Sequence, residues 1–168
     1  TIMPHGVLFR GGREKLIREK LIEGIHDEGE TVIEAIIGLP QGLFYGTGIP
    51  ACIIVVNKNK PDELKEKILF INADAEFAEE KNQNKLRPED IEKIDYVFTN
   101  KKEYDKYSRL VDLKEIRKNE YNLNIRRYVD NTPESEPENV KAHLNGGIPK
   151  LEVEGFKAEY IKFNFEYP

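Results

Sequence analysis

The chain has 168 residues, enough for one domain with a sizeable core. Its charged share of 34% and apolar share of 39% suit a soluble globular protein, and its longest apolar run, about six residues, falls far short of the ~20 that span a bilayer. A net charge of −5 argues against a free-standing nucleic-acid binder, and the single cysteine, Cys52, rules out an intramolecular disulfide and agrees with a cytoplasmic setting.

In chain order, Thr1 to His5 reads as the last residues of a strand with no room for its beginning, which suggests a piece cut from a longer protein. The strand leaves the sheet at Pro4 and turns through Gly6 to Gly12. A helix is predicted over Arg13–Glu23, with Ile17, Leu21 and Ile25 stepping by four beside Leu16 to form an apolar face, and Gly24 ending it. Val32–Ile37 and Ala51–Val56 are strands, the second apolar throughout and suited to cover on both faces. Cys52 inside it is expected to be buried and unreactive. A polar connection with Pro61 leads to a short strand at Ile68–Asn72. Ala73–Glu80 is helical or irregular, Pro88–Val97 is a helix opening on proline, and Asp112 caps a short helix over Leu113–Lys118. Leu123–Val129 is assigned as a strand. Residues 130–139 change to Asn, Thr, Pro, Ser and Glu and read as a linker. Val140–Pro168 has a helical start, a break at Gly146 and Gly147, and a final strand in the alternation from Tyr160 to Tyr167.

The most informative stretch is the link between the strands at Val32–Ile37 and Ala51–Val56. It holds Gly42, Gly46 and Gly48, Pro40 and Pro50, and two adjacent aromatics, Phe44 and Tyr45. Glycine-rich links between buried strands are usually short. This one is long and carries large rings where water should reach them, so it is a candidate binding surface on which a flat ring could stack on a nucleobase.

That run, Gly38 to Lys58, resembles the late catalytic-domain motif of the modification subunit of type I restriction–modification systems, the adenine-N6 DNA methyltransferases. Five further segments resemble the same family in order: Met3–Gly12, Lys81–Asp90, Tyr107–Val111, Tyr121–Ile125 and Ala142–Pro149. Each is weak alone; the series spans nearly the whole chain. Arg126 departs from the family pattern, in which proline usually follows the Tyr-Asn-Leu-Asn-Ile run.

The resemblance implies an α/β fold: the C-terminal part of a Rossmann-like, doubly wound, mostly parallel methyltransferase sheet with an antiparallel last strand, followed by a mixed helical and irregular extension. Residues 1–72 would close the catalytic domain, 73–132 would form the extension, and 133–168 the linker and C-terminal segment. Ala51–Val56 would be the antiparallel strand. It implies S-adenosylmethionine as cofactor, double-stranded DNA as substrate, and a DNA-specificity subunit and a restriction subunit as partners. The family's Asn/Asp-Pro-Pro-Phe/Tyr motif, which accepts hydrogen bonds from the adenine amine and stacks on the flipped base, is absent, because the chain has no Pro-Pro pair. Gly46-Thr47-Gly48 enters a strand rather than a helix, so it lacks the helix N-terminus of a phosphate or cofactor loop. Both catalytic halves would lie upstream, and the chain alone would be inactive.

Phe44 occupies the place where related adenine methyltransferases set an aromatic against the extruded base; the alternative is a ring that caps the sheet as core filler. Tyr45 is a second base or DNA contact. His5 stands at a strand's carboxyl end, where α/β sheets place ligands, or is a turn histidine bonded to backbone. Arg10 before the Gly11-Gly12 helix start could meet a DNA phosphate, or simply open a helix. Lys81, Asn82, Lys85 and Arg87 combine cations suited to phosphate with an amide suited to base edges, or form a solvated loop with internal bonds. His26 and His143 carry no ligand pattern, so no metal is expected. Two rivals stay open: a non-catalytic α/β interaction domain that shares the sheet, and a different nucleotide-dependent α/β enzyme.

Overall fold

The computed structural model describes residues 1–24, 30–132, 144 and 154–162. Thr1–Asn131 forms one compact unit and Thr132–Pro168 a second.

The first unit is built on a five-stranded sheet. Its strands are β1 (Ile2–Pro4), β2 (Ile33–Gly38), β3 (Ala51–Val56), β4 (Lys67–Asn72) and β5 (Ser108–Asp112), in the spatial order β1-β3-β2-β4-β5. β3 runs antiparallel to both of its neighbours, β1 and β2, so the antiparallel strand falls where the sequence places it. β2 and β4 are parallel, and β5 returns antiparallel along β4.

Side chains alternate across this sheet, and each face builds its own core. Ile36, Ile68 and Phe70 join Leu8, Ile22, Leu113 and Ile116 on one side. Ala35, Ile37, Leu69 and Ile71 join Val97 and Tyr107 on the other. Helix α1 (Arg13–Glu23) and helix α3 (Leu113–Lys118) therefore serve the first face, and α2 (Pro88–Asn100) the second. Both faces of β2 and β4 are covered, which is why their sequences are apolar almost without interruption.

The helix ends follow local chemistry. The Asp112 carboxylate accepts from the Lys114 N–H at 2.8 Å and caps α3. Gly24 ends α1 at φ 86°, a conformation that favours glycine. Pro88 opens α2, whose first turn is closed by Asp90 accepting from the Arg87 N–H at 2.8 Å.

Three expectations need correction. Leu123–Val129 is not a strand. Leu123 N reaches Leu8 O at 2.8 Å, and the backbone bonds after it close locally, Arg127 N to Asn124 O, Tyr128 N to Ile125 O and Val129 N to Ile125 O, around a 3₁₀ turn at Ile125–Arg127. The Asn122 side chain starts that turn by accepting from Asn124 N at 2.9 Å. The second correction concerns α1. Leu16 and Ile17 are 59% and 58% exposed, whereas Ile22 and the charged Arg18 are buried. The face is set by the bonds of Arg18 to the carbonyls of Val7 and Tyr121, and not by the apolar spacing. Third, Tyr160–Lys162 belongs to a helix, α4 (Lys157–Lys162), so the alternation from Tyr160 does not begin a strand. Short alternation is weak beside helix formers such as Ala158 and Glu159. The remainder of that expected strand, 163–168, the predicted break at Gly146-Gly147, and Ile25 lie outside the described residues.

Among the described residues no helix is long and apolar enough to cross a membrane.

Candidate nucleic-acid interface

β2 and β4 point the same way, and β1, antiparallel to β3 like β2, shares their direction. Their carboxyl ends, and the start of β3, therefore meet at one end of the sheet. Open α/β sheets bind ligands at this end. The 39–50 loop rises there from a tight base: Leu39 N donates to Ala51 O at 3.0 Å, His5 N to Pro50 O at 3.0 Å, and Ala73 N to Gly38 O at 3.1 Å. Gly42 and Gly46 take φ of 71° and 75°, which side chains rarely adopt. Between these two turns Leu43 packs against the core, while Phe44 is 43% and Tyr45 81% exposed. Two rings thus stand in water at the strand tips.

The 78–87 segment clasps this loop. Ala78 and Lys85 exchange backbone bonds at 2.8 and 3.0 Å and close a small hairpin. From its tip the Gln83 Nε2 donates to Leu43 O at 2.5 Å, the Asn84 Nδ2 to Gln41 O at 2.9 Å, and Asn84 N to Gly42 O at 2.9 Å. Lys81, Asn82 and Lys85 are exposed on the same hairpin. The sequence singles out Lys81, Asn82, Lys85 and Arg87 on this segment; the residues that tie it to the aromatic loop are Gln83 and Asn84. Their amides were visible; their partners, about forty residues earlier, were not. Arg87 holds the Asp90 carboxylate with Nε at 3.0 Å and Nη2 at 2.7 Å, so its guanidinium serves the start of α2. That pair keeps the Asp90 carboxyl below its ordinary range.

His5 is half-buried at the tip of β1, edge-on to the Phe9 ring at 5.8 Å. Burial lowers its pKa from the ordinary 6.5, with Asp74 opposing the shift and Arg126 adding to it. Asp74 itself, just past β4, accepts from Arg126 Nη2 at 2.9 Å and from Asn131 Nδ2 at 2.5 Å. Sequence reasoning missed this cluster. The signals were a carboxylate two residues past a strand end and an arginine where the family carries proline. Arg10 is exposed, 3.7 Å from Glu14.

Together these residues offer stacking faces, amide groups and cations on a rigid base. They fit the task of holding a base and its backbone.

The family of N-6 DNA methylases matches residues 1–137 of the 168. The chain belongs to that family. As an N-6 DNA methylase chain it is 45% identical over 146 residues to the type I restriction enzyme MjaVII methylase subunit of Methanocaldococcus jannaschii, covering 85% of this chain and 24% of that protein. The MpnII methylase subunit of Mycoplasma pneumoniae is 36% identical over 146 residues, covering 87% and 25%. The solved methyltransferase subunit of a type I restriction–modification system from Streptococcus thermophilus superposes with a TM-score of 0.68 at 42% identity, over 77% of this chain and 26% of that one. The chain thus spans about a quarter of the length of the relatives it matches. The sheet is the Rossmann-like methyltransferase sheet of this family.

A methylase needs a methyl donor, and among the described residues the Gly46-Thr47-Gly48 run does not supply the helix N-terminus of a donor's cradle. A Cβ placed on Gly46 or Gly48 meets nothing within 4 Å, and Gly48 leads into β3 rather than a helix. Gly46 turns the chain at a φ of 75°.

Proposed function

We propose that the whole protein is the modification subunit of a type I restriction–modification system, moving a methyl group from S-adenosylmethionine to N6 of a flipped adenine in double-stranded DNA. In this reading the strands of residues 1–72, with β5 added at the edge from the 73–132 segment, close the catalytic sheet, and Phe44 meets the everted base with Tyr45 beside it. His5, Arg10, Lys81, Asn82 and Lys85 line the DNA side; Arg87 supports them from the start of α2. The donor's cradle and the amine-binding motif belong to other parts of the protein, so this chain alone is inactive. The protein works in the cytoplasm with a DNA-specificity subunit and, for cleavage, a restriction subunit.

One observation carries the reading: a pair of exposed rings held on an anchored glycine loop at the strand tips. Extruding a base costs a few kcal/mol. Stacking on an aromatic returns ~1–3 kcal/mol, enough to offset much of that.

In the full-length subunit with its partners, Phe44→Ala is expected to slow methylation between about fivefold and a hundredfold, the rate equivalent of that stacking energy. Donor affinity, measured by calorimetry, should stay unchanged. Equal losses in both would mean that the ring is only structural.

A further inference from the structure

A second feature lies away from the aromatic loop, on the α1 face of the sheet. Phe9, Lys15 and Arg18 face the residues that follow α3, and a cleft of about 330 Å³ opens between them. Arg18 is only 6% exposed. Its Nη1 donates to Val7 O at 2.7 Å and its Nε to Tyr121 O at 3.1 Å. Both partners are neutral carbonyls. They fix the guanidinium plane without cancelling its charge; among the described residues no hydrogen bond engages Nη2, and Arg18 lines the cleft.

Burying a charge bonded only to neutral groups is costly, and Glu14 and Glu19 act on Arg18 only from beyond ion-pair distance. The neighbours here add to the problem. Lys118 and Arg127 also line the cleft, and among the described residues neither has a carboxylate within ion-pair distance; Arg127 reaches only the Asn119 side chain at 3.4 Å. Lys15 is loosely shared between Glu19 at 3.9 Å and the outward-facing Glu120 at 3.8 Å. Lys15, Arg18, Lys118 and Arg127 thus line a cleft whose one acidic lining residue is Glu120, with Glu19 beside Lys15, in a protein whose net charge is −5.

We infer that this cleft binds a phosphate group, with the Arg18 Nη2 fixed as donor, Lys118 and Arg127 closing from the rim, and the Phe9 ring forming one wall. A fixed guanidinium suits phosphate oxygens better than a mobile ammonium does. The group comes from a DNA backbone or from a free phosphate or nucleotide, and the site is distinct from Phe44.

The test uses the full-length protein with Lys118→Gln and Arg127→Gln combined. Both residues are exposed, so folding should survive, checked by an unchanged urea midpoint. Inorganic phosphate should bind the wild type saturably in calorimetry, and the double variant should lose that binding. If the phosphate is DNA-borne, duplex affinity also falls, and the slope of its logarithm against that of salt concentration becomes shallower by ~0.9 for each DNA phosphate that the variant no longer neutralises. A lost phosphate isotherm with an unchanged duplex slope supports the site and identifies its ligand as free phosphate or a nucleotide. No phosphate binding by the wild type together with an unchanged duplex slope overturns the inference. Methylation by Phe44→Ala does not enter these readouts, so either idea can fail alone.

Discussion

Lys60 is 6% exposed and donates from Nζ to Ile33 O at 2.9 Å and to Lys67 O at 2.7 Å, tying the first residues of β2 and β4 together. Burial lowers its pKa from 10.5 to about 8, with Glu34 partly opposing the shift. A lysine whose folded pKa lies below its unfolded one disfavours folding while it is charged. Its contribution is therefore least favourable below pH 8 and improves as pH rises toward 10.5. Lys60→Met takes the donor from two carbonyls, at ~1–3 kcal/mol, but also removes the buried charge, so the two effects largely offset each other at pH 7. More tellingly, the gain in urea midpoint between pH 8 and 9.5 should be smaller in the variant than in the wild type; equal gains would refute the shift. Cys52 shows the opposite sign of the same effect: burial pushes its thiol up to about 11, which keeps it protonated and inert, as its place in an apolar strand implied.

At the level of elements, the aromatic loop owes its position to a clasp, and the clasp can be opened. Gln83→Ala with Asn84→Ala removes two side-chain bonds to the 41–43 backbone while leaving Phe44 and Tyr45 in place. Global stability should fall by only about 1–2 kcal/mol. Cleavage of the 41–49 loop by a broad protease should quicken markedly, and methylation by the full-length subunit should fall with it. Unchanged proteolysis would show that the loop holds itself. Much of this organisation was legible in the residues. The bounds of α1 and α3, the Asp112 cap and the proline start of α2 all follow from local signals, and the antiparallel β3 from the family resemblance. What failed was non-local. β5 is an edge strand of five residues with Arg109 exposed, and its identity lies in pairing with β4. The 123–129 segment has strand-like composition, yet Ile125 is drawn down against Gly38, where a Cβ would stand 2.8 Å from its Cδ1. The buried side of α1 is chosen by a guanidinium bonding carbonyls at positions 7 and 121, which no periodicity shows. Of the candidate site, the ring pair and the cationic hairpin could be read directly; the amides that join them and the Asp74 cluster could not, because their partners are distant in sequence.

For the compact unit formed by residues 1–131, carboxylates join pieces that the chain separates widely. Glu23 at the end of α1 accepts from Arg117 Nε and Nη2, both at 2.8 Å, and from the Tyr121 hydroxyl at 2.8 Å, fastening α1 to the end of α3. Glu34 on β2 meets Lys101 past α2 at 2.7 Å and accepts from Asn57 at 3.1 Å, fastening the opposite face. The Arg117 bonds hold the Glu23 pKa below its ordinary 4.5. For Glu34 burial pushes upward, but Lys101 and Asn57 outweigh it and the net shift is also downward. Each group therefore contributes stability that is present above its unfolded pKa and is lost as pH falls through the lower, folded one. The two layers should then loosen together in acid, since each loses its clamp over one pH range. Unfolding followed by circular dichroism is expected to begin as pH drops below about 4.5, the ordinary value for both groups. Glu23→Gln keeps an acceptor but no charge, so it should be less stable than the wild type at neutral pH and should lose less further stability on acidification. Parallel acid limbs for the two proteins would show that Glu23 is not part of the clamp.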